Sequence, residues 1–398
     1  MSVSSYGPCS TNTYGSAVLR SHDIDLYRIA LTMLPRVGPA TARTLLRHLG
    51  SPRAVVEAQA EDLRQVPNVG PCLIGAFEAL DRDQLLQKAE REYQFILEKH
   101  ITPLYFEEPD YPSALAQCPD SPTLLYYSSQ KPFAELEALK AISIVGTRNA
   151  SKYGWDLIHE LLRDLQAHGH RVLVVSGLAS GIDGAAHQAA LSVGYPTVAV
   201  LGHGLRTIYP AEHKDLAKEI WAHGGLLTEY PSYRAAERGQ FLQRNRIIAG
   251  LSVATIVVES SMRGGALVTA HHAKAYGRVV MAFPGPVHRE YSAGCNALIK
   301  REGGMLIESA EDLERALNWE SPIPAKSRAH SPDAQPLFYQ PTPEESEVVR
   351  FIKEREPTTF DEIIRALRLS PNELNAMLLK LEFHGVVVSL PGRHYKLR

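Results

Sequence analysis

Between residues 101 and 320 the chain repeats one alternation: a short apolar run, a turn of small residues, then a stretch with helical spacing. The apolar runs fall at 142–145, 172–175, 197–201, 226–229, 255–258, 279–283 and 305–307. They are rich in Val and Ile and alternate little with polar residues, as strands do when helices cover both faces. The pattern predicts an α/β fold built on a doubly wound parallel sheet. In such sheets ligands sit outside the carboxyl ends of the strands.

The flanks read differently. Residues 22–100 show helical periodicity broken by Pro and Gly, and residues 1–21 read as a disordered tail rich in Ser, Thr, Gly and Tyr. In the helical zone Leu34-Pro35-Arg36-Val37-Gly38-Pro39 returns 32 residues later as Val66-Pro67-Asn68-Val69-Gly70-Pro71. Each Gly permits a tight turn, and the Pro after it suits a first helical position. The repeat resembles paired helix-hairpin-helix units, which often hold phosphate on backbone N–H groups. Here Pro39 and Pro71 each remove one such group, and acidic residues outnumber basic ones across the zone. A structural or protein-docking role is therefore favoured.

Residues 321–342 are dense in Pro, Ser and Ala and read as a linker. Residues 343–398 follow the order helix, helix, helix, hairpin, the pattern of a winged helix. Thr359-x-x-Glu362 and Ser370-x-x-Glu373 are capping boxes, and Leu374, Met377, Leu378 and Leu381 share one helical face. The third helix exposes Asn372, Glu373, Asn375 and Glu382 against Lys380 alone, which favours protein contact over duplex DNA. Arg393 on the wing argues the other way.

Composition narrows the function. The 398 residues are 44% hydrophobic and 22% charged, with a net charge of −2, so any nucleic-acid site must be a local positive patch. The cysteines at 9, 72, 118 and 295 form no Cys-x-x-Cys, which fits a reducing compartment and offers no zinc site. No apolar run approaches the roughly 20 residues that span a bilayer. A cytoplasmic protein with no metal and no cofactor is expected.

Five predicted strands end in small or polar residues: Gly146-Thr147-Arg148, Ser176 to Asp183, Gly202-His203-Gly204, Glu259 to Thr269, and Pro284-Gly285. One such turn is ordinary. Five on one edge, with Arg148 among them, point to an anion site. The segment Phe241-x-x-Arg244-Asn245-Arg246, with Arg238 three residues before it, adds guanidinium forks for phosphate and a ring for base stacking. Dinucleotide spacing, an NTPase phosphate loop, a nucleophile elbow and His-Glu-x-x-His are all missing from the sequence. Asp183 reads as a helix-start hydrogen-bond partner and the histidines as structural. The edge offers binding chemistry without a catalytic constellation.

These segments, taken in order, resemble the DNA-processing protein A family (DprA, also called Smf). The matching residues are Val145-Gly146-Thr147-Arg148 with Ser151 and Tyr153-Gly154, Ser176-Gly177-x-Ala179-x-Gly181-Ile182-Asp183, and Ala199-Val200-Leu201-Gly202-x-Gly204 with Tyr209-Pro210. They continue with Phe241 to Ser252, Gly265-Ala266-Leu267-Val268-Thr269-Ala270, and Pro284-Gly285 with Gly294-x-Asn296. The resemblance implies a Rossmann-like domain over 101–320, between a helical domain (22–100) and a winged-helix domain (343–398). It also implies single-stranded DNA binding without catalysis and a homodimer formed through the Rossmann-like domain. RecA recombinase would be loaded onto the strand during natural transformation and recombination, with single-strand-binding protein as a further candidate partner and no membrane. Arg148 and the Ser176-Gly177 turn would hold phosphates, Arg238 would add another contact, and Phe241 would stack on a base.

The DNA-binding set expected on this basis is Gly146, Thr147, Arg148, Ser176, Gly177, Arg238, Phe241, Arg244, Asn245, Arg246, Gly264, Gly265 and Thr269. The family's usual Ser-Gly-x-Leu reads Gly264-Gly265-Ala266-Leu267 here, which removes one hydroxyl. Two rival readings stay open. One is a nucleotide hydrolase of the lysine-decarboxylase-like type, whose loop glutamate is missing from Met262 to Thr269. The other is a non-catalytic interaction scaffold.

Overall fold

The computed structural model describes residues 22–320, 341–383, 386–390 and 392–397. The described residues up to 320 form one compact unit and those from 341 onward a second. The expected tail at 1–21 and all but the last two residues of the expected linker at 321–342 lie outside the described residues.

The first unit opens with six helices: α1 (His22–Thr32), α2 (Pro39–Leu49), α3 (Pro52–Glu57), α4 (Ala60–Arg64), α5 (Pro71–Glu78) and α6 (Arg82–Glu98). Both repeat copies lead into a helix whose first residue is proline, Pro39 in α2 and Pro71 in α5. The turn itself is not made by the glycines. Gly38 and Gly70 are extended, and the left-handed residues are Arg36 and Asn68, at φ +60° and +65°. The two copies thus share a backbone geometry set two residues earlier than the sequence suggests.

The sheet has nine strands in the order β1-β2-β6-β5-β4-β3-β7-β8-β9. These are β1 (Thr102–Tyr105), β2 (Leu124–Ser128), β3 (Lys140–Val145), β4 (Val172–Ser176), β5 (Thr197–Val200), β6 (Gly225–Thr228), β7 (Ala254–Val257), β8 (Val279–Ala282) and β9 (Met305–Leu306). All seven anticipated strands are present and parallel to their neighbours from β6 to β9. The sheet is mixed, however, because β1 and β2 add an antiparallel edge beside β6 that the sequence pattern did not indicate. Leu125 and Tyr127 of β2 face the sheet core, while Leu124 and Tyr126 face the core of the helical zone. These two strands therefore join the helices to the sheet.

Helices α7 (Ser113–Ala116) and α8 (Phe133–Glu137) precede β3, and α9 (Lys152–Ala167), α10 (Ile182–Ser192) and α11 (Lys214–His223) link β3 through β6. After β6 come α12 (Arg238–Leu251), α13 (Gly265–Ala275), α14 (Glu290–Arg301) and α15 (Ala310–Leu317). One sheet face packs on α12, α13 and α14, and the other on α9, α10 and α15. Burial on both faces explains the unbroken apolar strands. The chain builds outward from β3 to β6 and then crosses back to β7. The crevice at the carboxyl ends of β3 and β7 is thus the switch point where such sheets place ligands.

The second unit contains α16 (Pro343–Glu354), β10 (Thr358–Thr359), α17 (Phe360–Leu367), α18 (Pro371–Phe383), β11 (Val387–Leu390) and β12 (His394–Leu397). Its sheet order is β10-β12-β11, and its own core gathers Val348, Ile352, Ile363, Leu374, Leu378 and Leu381. Both anticipated capping boxes form: Glu362 accepts from the Thr359 N–H at 2.7 Å, and Glu373 from the Ser370 N–H at 2.9 Å. This is a winged-helix arrangement.

Candidate nucleic-acid interface

The turns after β3 and β7 and the first two turns of α12 surround a cavity of about 820 Å³. Gly146, Thr147 and Arg148 form one wall, Arg238, Phe241, Arg244 and Asn245 a second, and Gly264, Gly265 and Thr269 a third. The turn after β3 is braced from beneath. The Thr147 N–H donates to the Glu259 carbonyl at 2.7 Å, and the Glu259 carboxylate accepts from the Ser151 N–H at 2.8 Å and hydroxyl at 2.7 Å. Ser151 in turn caps α9. Arg148 is therefore displayed on a fixed loop.

Phe241 brings the aromatic contacts of the cavity together. Its ring lies 5.6 Å from that of Tyr209, centroid to centroid, and the Arg148 guanidinium sits over it. Gly202 allows this placement, since a Cβ there would stand 2.8 Å from a Phe241 ring carbon. Arg148, Arg238 and Arg263 are exposed and form no ion pair among the described residues. Arg238 opens α12 just after the N-cap Glu237, where the helix dipole disfavours a cation. By contrast, α13 begins at Gly265 and turns its own positive end to the cavity.

Arg244 has a different task. It is buried beneath the cavity, donates to the Gly177 carbonyl at 2.7 Å and to the Val200 carbonyl, and its Nε donates to Asn245 Oδ1 at 3.2 Å. Burial lowers its pKa to about 10, which still leaves it charged at neutral pH. Asp183 faces it across Gly177, where a Cβ would meet Arg244 Nη2 at 2.5 Å and Asp183 Oδ2 at 2.6 Å. Burial pushes the Asp183 carboxyl up, against the pull of Arg244, and its Oδ2 accepts from the Ala179 N–H at 3.3 Å. Asn245 ties α12 to the start of α13 through the Gly265 carbonyl at 3.2 Å.

Ten of the thirteen expected residues line the cavity; Ser176, Gly177 and Arg246 do not. Ser176 is fully buried and donates to the Ile144 carbonyl at 2.7 Å. Gly177 lies one layer below, under Arg244. Arg246 turns to the opposite side of α12, where it donates to the Asp120 carbonyl at 2.8 Å and pairs with Glu229. Helical geometry requires this, because positions 244 and 246 project about 200° apart. Tyr209, Leu242, Ser260, Ser261 and Arg263 also line the cavity, although they were not singled out. All five lay within segments already noted, and for Ser260, Ser261 and Arg263 the strand-end position after β7 was the available signal.

The histidines are structural where they are buried. His187 Nδ1 pairs with the Thr197 hydroxyl at 2.7 Å, and burial lowers its pKa to about 3. Among the described residues no group of His, Cys, Asp or Glu could hold a metal ion, and no helix is long and apolar enough to cross a membrane.

Residues 102–318 match the family model described as DNA recombination-mediator protein A. The chain belongs to that family. Residues 328–393 match a DprA winged-helix domain, and residues 29–72 a SAM-like helix-hairpin-helix tandem. Protein Smf of Synechocystis sp. is 31% identical over 94% of this chain and 98% of its own length. Protein Smf of Escherichia coli is 38% identical over 72% of this chain and 75% of its own. The X-ray structure of DNA processing protein A (DprA) from Streptococcus pneumoniae superposes with a TM-score of 0.61 at 29% identity. That match covers 75% of this chain and 98% of the other. Membership in this family gives the chain a DNA-processing role in recombination.

Proposed function

We propose that the cavity at the β3–β7 switch point binds single-stranded DNA without catalysis. We also propose that a homodimer formed through the Rossmann-like domain presents the strand to RecA. The observation that carries this reading is the trio Arg148, Arg238 and Arg263, unpaired and exposed around the Phe241–Tyr209 platform. Unpaired guanidiniums suit phosphates, and an aromatic platform accepts any base, so affinity should depend on salt more than on sequence. Duplex DNA conceals its base faces and gains nothing from Phe241. The N-terminus of α13 adds positive field without adding net charge to the chain.

The test is fluorescence anisotropy of labelled single-stranded and duplex oligonucleotides against wild type and Arg148→Ala at two salt concentrations. Salt-sensitive, single-strand-preferring binding that the variant loses supports the reading. Binding indifferent to Arg148 removes it. Release of free base from nucleoside monophosphates would move the assignment to a nucleotide hydrolase.

A further inference from the structure

A second cavity, of about 680 Å³, opens on the other side of the start of α12. Its walls come from the first hairpin of the helical zone and from the loop that leads from β6 to α12. Arg36, Arg234, Tyr230, Tyr233 and Gln243 are among its lining residues. Arg36 and Arg234 are both exposed and have no ion-pair partner among the described residues. The carboxylate in the wall, Glu229, is already bound to Arg246, so the two arginines leave the cavity net positive. Tyr233 is 50% exposed and offers an uncovered ring face.

Arg36 carries a second sign. It holds φ +60°, a region where Asn is enriched and long side chains are uncommon. The equivalent position in the other repeat copy is Asn68, which suits that geometry and does not line this cavity. The hairpin tip that meets the cavity thus bears the residue whose backbone is the less comfortable, and whose charge is free.

The two cavities share a rim. Arg234 lines the second and Arg238 the first, four residues apart, which is at most about 14 Å of chain. On α12, Gln243 lines the second cavity while its neighbours Leu242 and Arg244 line the first, and it accepts from the Tyr230 hydroxyl at 3.2 Å. The loop is anchored just before Arg234, where Ser232 donates its N–H and its hydroxyl to the buried Glu92 carboxylate of α6, each at 2.7 Å.

We propose that this second cavity is a subsite for the same single strand. Arg36 and Arg234 would take phosphates and Tyr233 would stack on a base as the strand leaves the Phe241 platform. The proposal rests on the reading of the first cavity as a single-strand site. It makes the first hairpin part of the binding path, through an arginine side chain in place of the backbone N–H group that Pro39 removes.

Oligonucleotides of two lengths test it on the full chain: about 5 nucleotides, which fill one cavity, and about 20, which span both. The Arg36→Ala/Arg234→Ala double variant should bind the longer strand roughly tenfold more weakly, and its salt slope should fall by about 1.4, the value for two phosphates. The shorter strand should bind as it does to wild type. A double variant with Lys at both positions should keep most of the salt slope, which separates lost charge from lost structure. Wild-type binding of both lengths by the Ala double variant, or equal weakening of both, overturns the second subsite. Arg148→Ala reports on the first cavity separately: if it alters neither length, the parent reading fails whatever the double variant does.

Discussion

The Arg148 guanidinium lies over the Phe241 ring, its central carbon 5.7 Å from the ring centroid. One residue comes from the turn after β3 and the other from α12, so the contact bridges the mouth of the cavity. A cation held by a ring face is positioned without being neutralised, at a gain of about 0.5–1 kcal/mol for an exposed pair. Arg148 is thus set in place and still able to meet a phosphate.

Arg148 and Phe241 should therefore fail in different ways. Arg148→Ala should weaken single-strand binding and lower the salt slope by about 0.7, as loss of one phosphate contact does. Phe241→Ala should cost about 1–3 kcal/mol with the slope unchanged, because stacking releases no counterions. Salt titrations of both variants check this, and identical slopes for the two would contradict the division of roles.

Arg244→Met should act on stability before it acts on binding. It removes the donor to the Gly177 and Val200 carbonyls, and each buried acceptor left unpaired costs about 1–3 kcal/mol. Urea denaturation should show a lower midpoint. A variant with wild-type stability and abolished DNA binding would instead place Arg244 in direct contact with the ligand.

His187 should make stability fall with acid. Its folded pKa of about 3 lies below the value near 6.5 of an unfolded histidine, so the unfolded chain takes up the proton first. The contribution is complete above about pH 6.5 and is lost at about 1.4 kcal/mol per pH unit as pH drops toward 3. Burial lowers His170 too, so it adds in the same direction. Denaturation midpoints at a series of pH values should fall below 6.5, and His187→Gln should flatten the fall by one proton. An unchanged slope in that variant would show that His187 is not the group responsible.

A chain ending at Glu320 should keep its single-strand affinity, because the two compact units have separate cores. Anisotropy on the shortened protein decides this. A large loss of affinity would assign a DNA contact to the winged helix, with Arg393 as the first residue to replace.

Much of this arrangement is legible in the residues. The apolar runs of β3 to β8 identify themselves because both faces are buried, and the glycines that follow mark the edge where the cavity lies. Strands β1 and β2 escape notice for a physical reason. Thr102-Pro103-Leu104-Tyr105 contains a proline, which weakens a strand reading, and Leu124-Leu125-Tyr126-Tyr127 serves two cores at once. The Arg244-Asn245-Arg246 segment misleads in the opposite way. Its charges suggest a surface, yet α12 is packed so that Arg244 serves the floor of the site and Arg246 the far side. Ser176 looks like part of a phosphate turn, but it is still strand, and its hydroxyl faces the neighbouring strand β3.

The paired hydrogen bonds from Ser232 to Glu92 carry one more implication. The change from helical to alternating pattern near residue 100 invites the molecule to be cut there. The rim of the cavities, however, takes its shape from a carboxylate on α6, and desolvation raises the pKa of that carboxylate. The six helices act as a mould against which the β6–α12 loop is cast. Grafting the sheet and its later helices onto another scaffold would transfer the floor of the groove and leave its bank unformed.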